Sequence, residues 1–538
     1  MILSLYLGGS FMFQKLKDYI KKDWKFILLI IAFMVVNFAI VTLNYGSESV
    51  GIHINGIFKT WYSTLSFIII FVVGGFLAFK VRKADRDDVK LEKLFLWVAI
   101  PIGLIMCFNT PLGKTPDEDD HCKKAMAISQ GNFFSVADEE GNAVEMINAK
   151  VHELVTRTVD NYEDAWRRVS APETDAMIPL KYNTMALYAP ICHAPQALGI
   201  FITRLFGAGI SVQCYAGRLF NFALGLTLLY NAIRLMPVKK YLMTYLALMP
   251  VAFNVLPSLS SDVLTLSMSF FYIAYILHLK YNDDVKEISR KDKIGLVISS
   301  IVISLCKIVY IPLCMLLFII PKEKYGSLKK KNLFTIILIV VAIIINLIWL
   351  GYCSRFLIQF NFGVNSGEQV KFILTHPIEY IIILARTMNF NFNTYYAGLS
   401  GDQLGTYSVK AAEVYIFISI VLSSLLFISN NEEDKRIKFD VLTKCIAGVI
   451  FLAIVLLIFT SLYVQWTPVK HPLIIGVQAR YFFPVLLLTA IIFDNDLIVI
   501  KKKINRFLLT FLIFMNINVA TATIYTYYFG VLIDTYIK

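Results

Sequence analysis

The chain of 538 residues is 57% hydrophobic and only 17% charged, and its 51 Lys and Arg outnumber 38 Asp and Glu to give a net charge of +13. Soluble proteins carry about 25% charged and about 45–50% apolar residues, so this composition excludes a soluble enzyme, a disordered chain and a disulfide scaffold. It specifies an all-α integral membrane protein, a single polytopic domain over 1–538, and makes the placement of its few charges the first question.

A spanning helix needs roughly 20 mostly apolar residues, because the hydrocarbon core is about 30 Å thick. Runs of this kind fall near 26–44, 62–80, 94–109, 212–233, 241–257, 262–279, 294–308, 309–321, 333–351, 411–429, 441–462, 480–499 and 507–530. That predicts a bundle of about thirteen transmembrane helices, the pair around Lys307 and Pro312 being short in each half. Lys15 to Lys25 leads into a full-length span rather than a cleavable signal. Residues 1–11 carry no charge and read as a start-site extension or an untethered tail.

Orientation follows from the basic residues on alternate loops. The segments 15–25, 80–93, 234–240, 280–293, 322–331, 435–444 and 501–506 together hold 32 of the 51. Placing them inside obeys the positive-inside rule and puts the N-terminus in the cytoplasm. The surplus charge is then topology and attraction to the lipid bilayer, and no nucleic acid partner is expected. Residues 186–206 are apolar enough to span, but a span there would turn the Lys-rich 322–331 and 501–506 outward. They are therefore expected as an interfacial or re-entrant helix on the outer face. The outer side carries a large segment at 110–211 with amphipathic helices, a second at 352–410 and a third at 463–479. Six of the eight cysteines lie in or beside spans, as packing residues. Only Cys122 and Cys192 fall clearly in the large outer segment, and no spacing rule decides whether they pair.

The large outer segment opens with Thr115-Pro116-Asp117-Glu118-Asp119-Asp120-His121 directly after the third span. Four consecutive carboxylates at a membrane surface are costly unless solvated, paired or functional. A solvated acidic loop would account for them, and capping of the short helix that follows accounts for one. A general base or a metal-ligand cluster at a cavity mouth accounts for more. The later acidic residues, including Asp138, Glu145, Asp160, Glu163, Asp164, Glu173 and Asp175, read as solvated faces of amphipathic helices. Arg218, Asp262, Lys307 and Arg480 fall at the outer ends of spans, on the side of Asp117. Each alone reads equally as a snorkelling anchor or a structural ion pair. Their convergence favours an anionic-substrate site, since Arg binds phosphate bidentately and Lys as a point charge.

The string PDEDDHCKKAMAISQGNFF at 116–134 resembles the signature of DUF2142 membrane proteins. The resemblance continues through YAPICHAPQALGIFITRLFGAGISVQCYAGRLFN at 188–221, MPVAFNVLPSLSSDVLTL at 249–266, CKIVYIPLCMLLFIIPK at 306–322 and GVQARYFFP at 476–484. That family is assigned to the GT-C glycosyltransferase superfamily, and the layout is distantly similar to aminoarabinose transferases and protein O-mannosyltransferases. The resemblance implies a GT-C-like bundle and a plasma-membrane enzyme. Its outer-face site would move a sugar, with inversion, from a polyprenyl-phosphate donor to a cell-envelope glycan or lipid-linked acceptor. It implies Asp117 as base, with Glu118 and Asp262 beside it as catalytic residues. Arg218, Lys307 and Arg480 would neutralise the donor phosphate, and Tyr481 and Gln478 would line the pocket. Asp119, Asp120 and His121 remain as acceptor contacts or metal ligands. The resemblance fixes no cofactor, and a divalent cation, Mg or Mn, stays open. The Lys-Pro that those transferases carry before the interfacial helix is replaced here by Tyr188-Ala189-Pro190.

Two other functions fit such a bundle. A transporter or flippase of lipid-linked saccharides would need intramembrane charge but also internal repeats, which the chain lacks. An envelope polysaccharide polymerase would use a lipid-diphosphate donor. The Lys-, Ile- and Asn-rich composition points to a low-GC bacterium.

Overall fold

The computed structural model describes residues 24–40, 61–84, 89–156, 176–181, 184–356, 362–405, 409–431, 437–495 and 497–529. The expectations for residues 1–11 and for the acidic residues between 157 and 175 lie outside these. The first apolar runs form α1 (Trp24–Ile40), α2 (Trp61–Ala84) and α3 (Leu91–Asn109). The segment 110–211 follows with α4 (Glu118–Ser129), β1 (Val136–Ala137), β2 (Ala143–Asn148), α5 (Ala149–Thr156), β3 (Met177–Lys181) and α6 (Ala194–Leu205). Next come α7 (Ile210–Leu235), α8 (Lys240–Ala247), α9 (Pro250–Val255), α10 (Asp262–Tyr281), α11 (Arg290–Cys306) and a 3-10 helix at Ile308–Ile319. The chain continues through α12 (Leu328–Cys353), α13 (Ser366–Thr375), α14 (Pro377–Leu399), α15 (Glu413–Ile428), α16 (Val441–Gln465), α17 (Leu486–Ile492) and α18 (Lys502–Ile524).

Among the described residues, six helices are long and apolar enough to cross a membrane, within Thr64–Ala84, Leu91–Asn109, Asp262–Tyr281, Leu328–Cys353, Val441–Gln465 and Ile504–Tyr527. Shorter apolar helices stand at Trp24–Ile40, Ile308–Ile319, Glu413–Ile428 and Ala479–Ile492. The expected thirteen uninterrupted spans are therefore met in part. Run 241–257 is divided into α8 and α9 because Pro250 lacks an N–H to continue the first helix and opens the second. Runs 294–308 and 309–321 are separated by Lys307, whose extended backbone (φ −156°, ψ 124°) ends α11. Helix α7 is long enough at 26 residues but carries Gln213, Arg218, Asn221 and Asn231.

The segment 110–211 contains more than helices. β1, β2 and β3 form an antiparallel sheet in that order, with Val136 opposite Val144 and Glu145 opposite Leu180. The acidic residues of this stretch were expected on helix faces. Asp138 instead caps the β1–β2 turn, accepting from the Glu140 and Asn142 N–H groups at 3.0 and 2.7 Å, and Glu145 is buried against Lys124. The 186–206 stretch forms no spanning helix. Its one α-helix, α6, has 12 residues and so reaches about 18 Å, too short to span. It exposes Leu198, Phe201 and Leu205 and packs its other face on α7.

Helix α18 packs between α2 and α3, and α7 lies against α10, α6 and α3, around a core that includes Phe253, Phe270, Leu277 and Met515. The loops assigned by charge to one side touch one another. Lys239 reaches Asp494 at 3.2 Å, Lys280 pairs with Asp440, and Asn430 lies opposite Val499 in a short parallel pair. At the α6–α7 crossing, a Cβ on Gly199 would stand 2.6 Å from the Ala216 carbonyl oxygen. We therefore expect Gly199→Val to destabilise the fold by about 1–3 kcal/mol through overpacking against rigid backbone, read as a lowered melting temperature in detergent.

Candidate functional site

The turn from α3 into α4 sets the site's geometry. Asp117 takes a left-handed backbone, φ 59° and ψ 10°, rare for a residue with a Cβ. Such a conformation persists where surrounding structure over-determines it. Here the Glu118 N–H donates to the Thr115 carbonyl at 3.0 Å and the His121 N–H to the Asp117 carbonyl at 3.1 Å. The Asp117 side chain makes no capping bond to α4, contrary to the expectation that the carboxylates cap this helix. It stays half exposed and pairs outward with Arg480.

Glu118 faces the other way. Its carboxylate is fully buried and receives a two-point contact from Arg218, Nε to Oε1 at 2.7 Å and Nη2 to Oε2 at 2.6 Å. Arg218 Nη1 donates to the Cys107 and Thr110 carbonyls at 2.6 and 2.7 Å, and Nη2 to the Pro111 carbonyl at 2.9 Å. These carbonyls close the C-terminal end of α3, where the helix dipole favours a cation. Glu118 also accepts from the backbone N–H groups of Gly113, Thr115 and Leu259 at 3.1, 3.4 and 3.0 Å. All five guanidinium protons are thus engaged. This corrects two expectations: Arg218 has no donor left for a phosphate, and Glu118 has no face open to an acceptor. The pair joins α3, α4, α7 and the loop before α10.

Asp119 and Asp120 also separate from Asp117. Both turn to the buried Lys123, at 3.9 and 3.1 Å. Burial, with Asp120 beside it, raises the Asp119 carboxyl above its ordinary value. Asp119, Asp120 and His121 do not converge as a ligand set, and among the described residues no group of three or more His, Cys, Asp or Glu could hold a metal ion.

The remaining candidates meet. Asp262 opens α10, Lys307 separates α11 from the 3-10 helix, and Arg480 with Tyr481 lies in a 3-10 turn at Ala479–Tyr481. Lys307 Nζ donates to Asp262 Oδ1 at 2.6 Å, and Arg480 Nε stands 3.3 Å from Asp262 Oδ2 while its Nη2 pairs with Asp117. The result is an alternating chain, Asp117–Arg480–Asp262–Lys307, drawn from four segments and formally neutral. Tyr481 lies beneath both cations, its ring centre 4.7 Å from Lys307 Nζ and 5.4 Å from the Arg480 guanidinium carbon. Its backbone carbonyl is held by the Tyr310 hydroxyl at 2.7 Å. Asp262, Lys307, Arg480, Tyr481 and Tyr310 line the polar side of one cavity, and Val251, Leu266 and Pro484 its apolar side. Gln478 precedes this turn with its side-chain oxygen buried and unmatched among the described residues.

His193 and Tyr188 belong beside this cluster and were not among the site residues expected from the sequence. His121 Nδ1 lies 2.8 Å from His193 Nε2, and His121 Nε2 3.5 Å from the Ser261 hydroxyl. The Tyr188 ring meets His121 edge to face, with 5.0 Å between ring centres. His193 Nδ1 is buried without a partner. A bare lone pair there costs less than an orphaned N–H, so the network assigns the shared proton to His193 Nε2, which donates to His121. His121 Nε2–H then points to Ser261. Burial lowers both imidazoles below their ordinary value, His193 strongly. The signal for His193 was its position immediately before the interfacial helix; for Tyr310 it was the three-residue spacing from Lys307.

Two measurements test these assignments. Arg218→Leu strands a buried carboxylate and should cost about 3–5 kcal/mol, seen as loss of folded protein on size exclusion. Protonation of the buried imidazoles favours the unfolded chain, so their stability penalty is absent well above the unfolded pKa of about 6.5 and grows as pH falls below it. The drop in melting temperature from pH 7.5 to 5.5 should be shallower in the double variant His121→Gln/His193→Gln; an equal drop would refute the neutral pair.

The family model described as a predicted membrane protein, DUF2142, matches residues 100–489. No curated protein and no solved structure matches the chain. The match takes in α4, Asp262, Lys307 and Arg480, and over most of its length the chain belongs to the DUF2142 family of predicted membrane proteins.

Proposed function

We propose that the chain is a glycosyltransferase that moves a sugar from a polyprenyl-phosphate donor to a cell-envelope acceptor on the outer face of the membrane. The observation that carries this reading is the meeting of Asp117, Asp262, Lys307 and Arg480 beside one cavity. An apolar groove supports the choice of a membrane-borne donor. It starts at Ile308, next to Lys307, and runs between the 3-10 helix, α12 and α16, lined by Pro312, Ile343, Leu347 and Leu457. A lipid tail lying there brings its phosphate to Lys307.

The four charged side chains already balance one another, so an incoming phosphate must exchange partners with them. The donor phosphate draws Lys307 and the Arg480 fork, and Arg480 releases the Asp117 carboxylate. Asp117 then takes the proton of the acceptor hydroxyl, and the acceptor oxygen attacks the anomeric carbon opposite the phosphate. The carbon–oxygen bond to phosphate breaks with inversion, and the two cations stabilise the departing polyprenyl phosphate, which needs no proton. Asp262 holds Lys307 and Arg480 in place. The basic loops 80–93, 234–240 and 322–331 support a cytoplasmic location for the opposite end of the bundle.

A general base supplies about 10²–10⁴ in rate. Asp117→Asn should lower transfer from a polyprenyl-monophosphate sugar in isolated membranes by that factor, with unchanged expression and melting temperature. Transfer at the normal rate would sink the assignment of the base.

A further inference from the structure

The buried contact between α4 and α7 has two rungs. Glu118 and Cys122 are one turn apart on α4, and Cys214 and Arg218 are one turn apart on α7. Glu118 meets Arg218, and one turn away Cys122 meets Cys214, sulfur to sulfur at 3.4 Å. Both thiols are fully buried, packed among Leu112, Met126, Ile210 and Leu259. Among the described residues, neither has a hydrogen-bond partner other than its neighbour. Cys192 lies elsewhere, beside Cys306, and donates to the Leu305 carbonyl at 3.4 Å. The pairing left open in the sequence, Cys122 with Cys192, is replaced by one between two helices that the Glu118–Arg218 contact already holds in register.

We propose that Cys122 and Cys214 form a disulfide in the mature protein. The sulfurs stand about 1.4 Å beyond the bonded separation of about 2.05 Å, and the ion pair next to them fixes the helices' approach. The inference rests on the outer placement of α4 proposed above, because disulfides persist in oxidising compartments and not in the cytosol. The oxidant is a protein disulfide of an extracytoplasmic thiol oxidoreductase. One thiolate attacks that disulfide to give a mixed disulfide, and the second thiolate displaces the oxidoreductase as a dithiol. Two electrons pass to the oxidant, and the two thiol protons go with them. Because both sulfurs are sealed in the folded protein, the exchange precedes docking of α4 on α7. The crosslink pins the helix that begins at Asp117.

The test is differential alkylation of the full-length protein. Membranes are denatured in N-ethylmaleimide, then reduced and treated with iodoacetamide, and the peptides are read by mass spectrometry. We expect Cys122 and Cys214 to carry only the second label, with a linked 122–214 peptide before reduction, and Cys445 to carry the first. In Cys214→Ser, Cys122 should switch to the first label. Maleimide on both residues of the parent protein, or a linked peptide joining Cys122 to Cys192, would overturn the proposal. Labelling of Glu140→Cys in intact cells by an impermeant maleimide reports the side separately. An outward Glu140→Cys with reduced Cys122 and Cys214 rejects the disulfide and leaves the proposed function standing.

Discussion

The fully buried pairing of Glu118 with Arg218 organises the end of the bundle that carries the acidic cluster. An uncompensated charge at that depth would cost several kcal/mol, so the two residues fold together with every group that satisfies them. Those groups come from the end of α3, the turn before α4 and the loop before α10. One interaction thereby sets where α4 starts and where Asp262 sits. Asp117, adjacent to Glu118, is left in a left-handed conformation that turns its carboxylate away from the buried pair and toward Arg480.

The second charged assembly works differently. Asp117, Arg480, Asp262 and Lys307 share partners rather than forming isolated pairs, and Asp117 keeps half its side chain exposed. Each member's charge is held by its neighbours, so an anion that takes one cation redistributes the others. The Glu118–Arg218 pair has no such freedom, since every donor on Arg218 is spent. Adjacent residues in the sequence therefore belong to one rigid and one exchangeable network. His121, one turn along α4 from Asp117, meets His193 beside the second network, and burial lowers both imidazoles below their ordinary value.

Much of this was legible beforehand because membranes impose simple accounting. Apolar run length located many of the helices, and the rarity of ionisable residues near spans pointed to Asp262, Lys307 and Arg480. The same rule also selected Arg218, since residue type and position do not reveal whether a cation faces a cavity or a carboxylate. Pro250 interrupts an apolar run that composition alone joins, whereas the break at Lys307 falls where the sequence already divided two short runs. The small sheet at 136–181 escaped because its strands are short and partly polar, so their pattern reads equally as an amphipathic helix.

The sequence by itself determined the class of protein, many of its apolar helices, and a helix too short to span within 186–206. These depend on local composition and on charge counted over neighbouring residues. Only the tertiary structure decided how the charges divide: Glu118 and Arg218 to the core, Asp119 and Asp120 to Lys123, and Asp117 with Asp262, Lys307 and Arg480 to the cavity. The partners are separated by up to 363 residues. Which of several like charges pairs with which is a matter of depth and direction, quantities that exist only once the helices have packed.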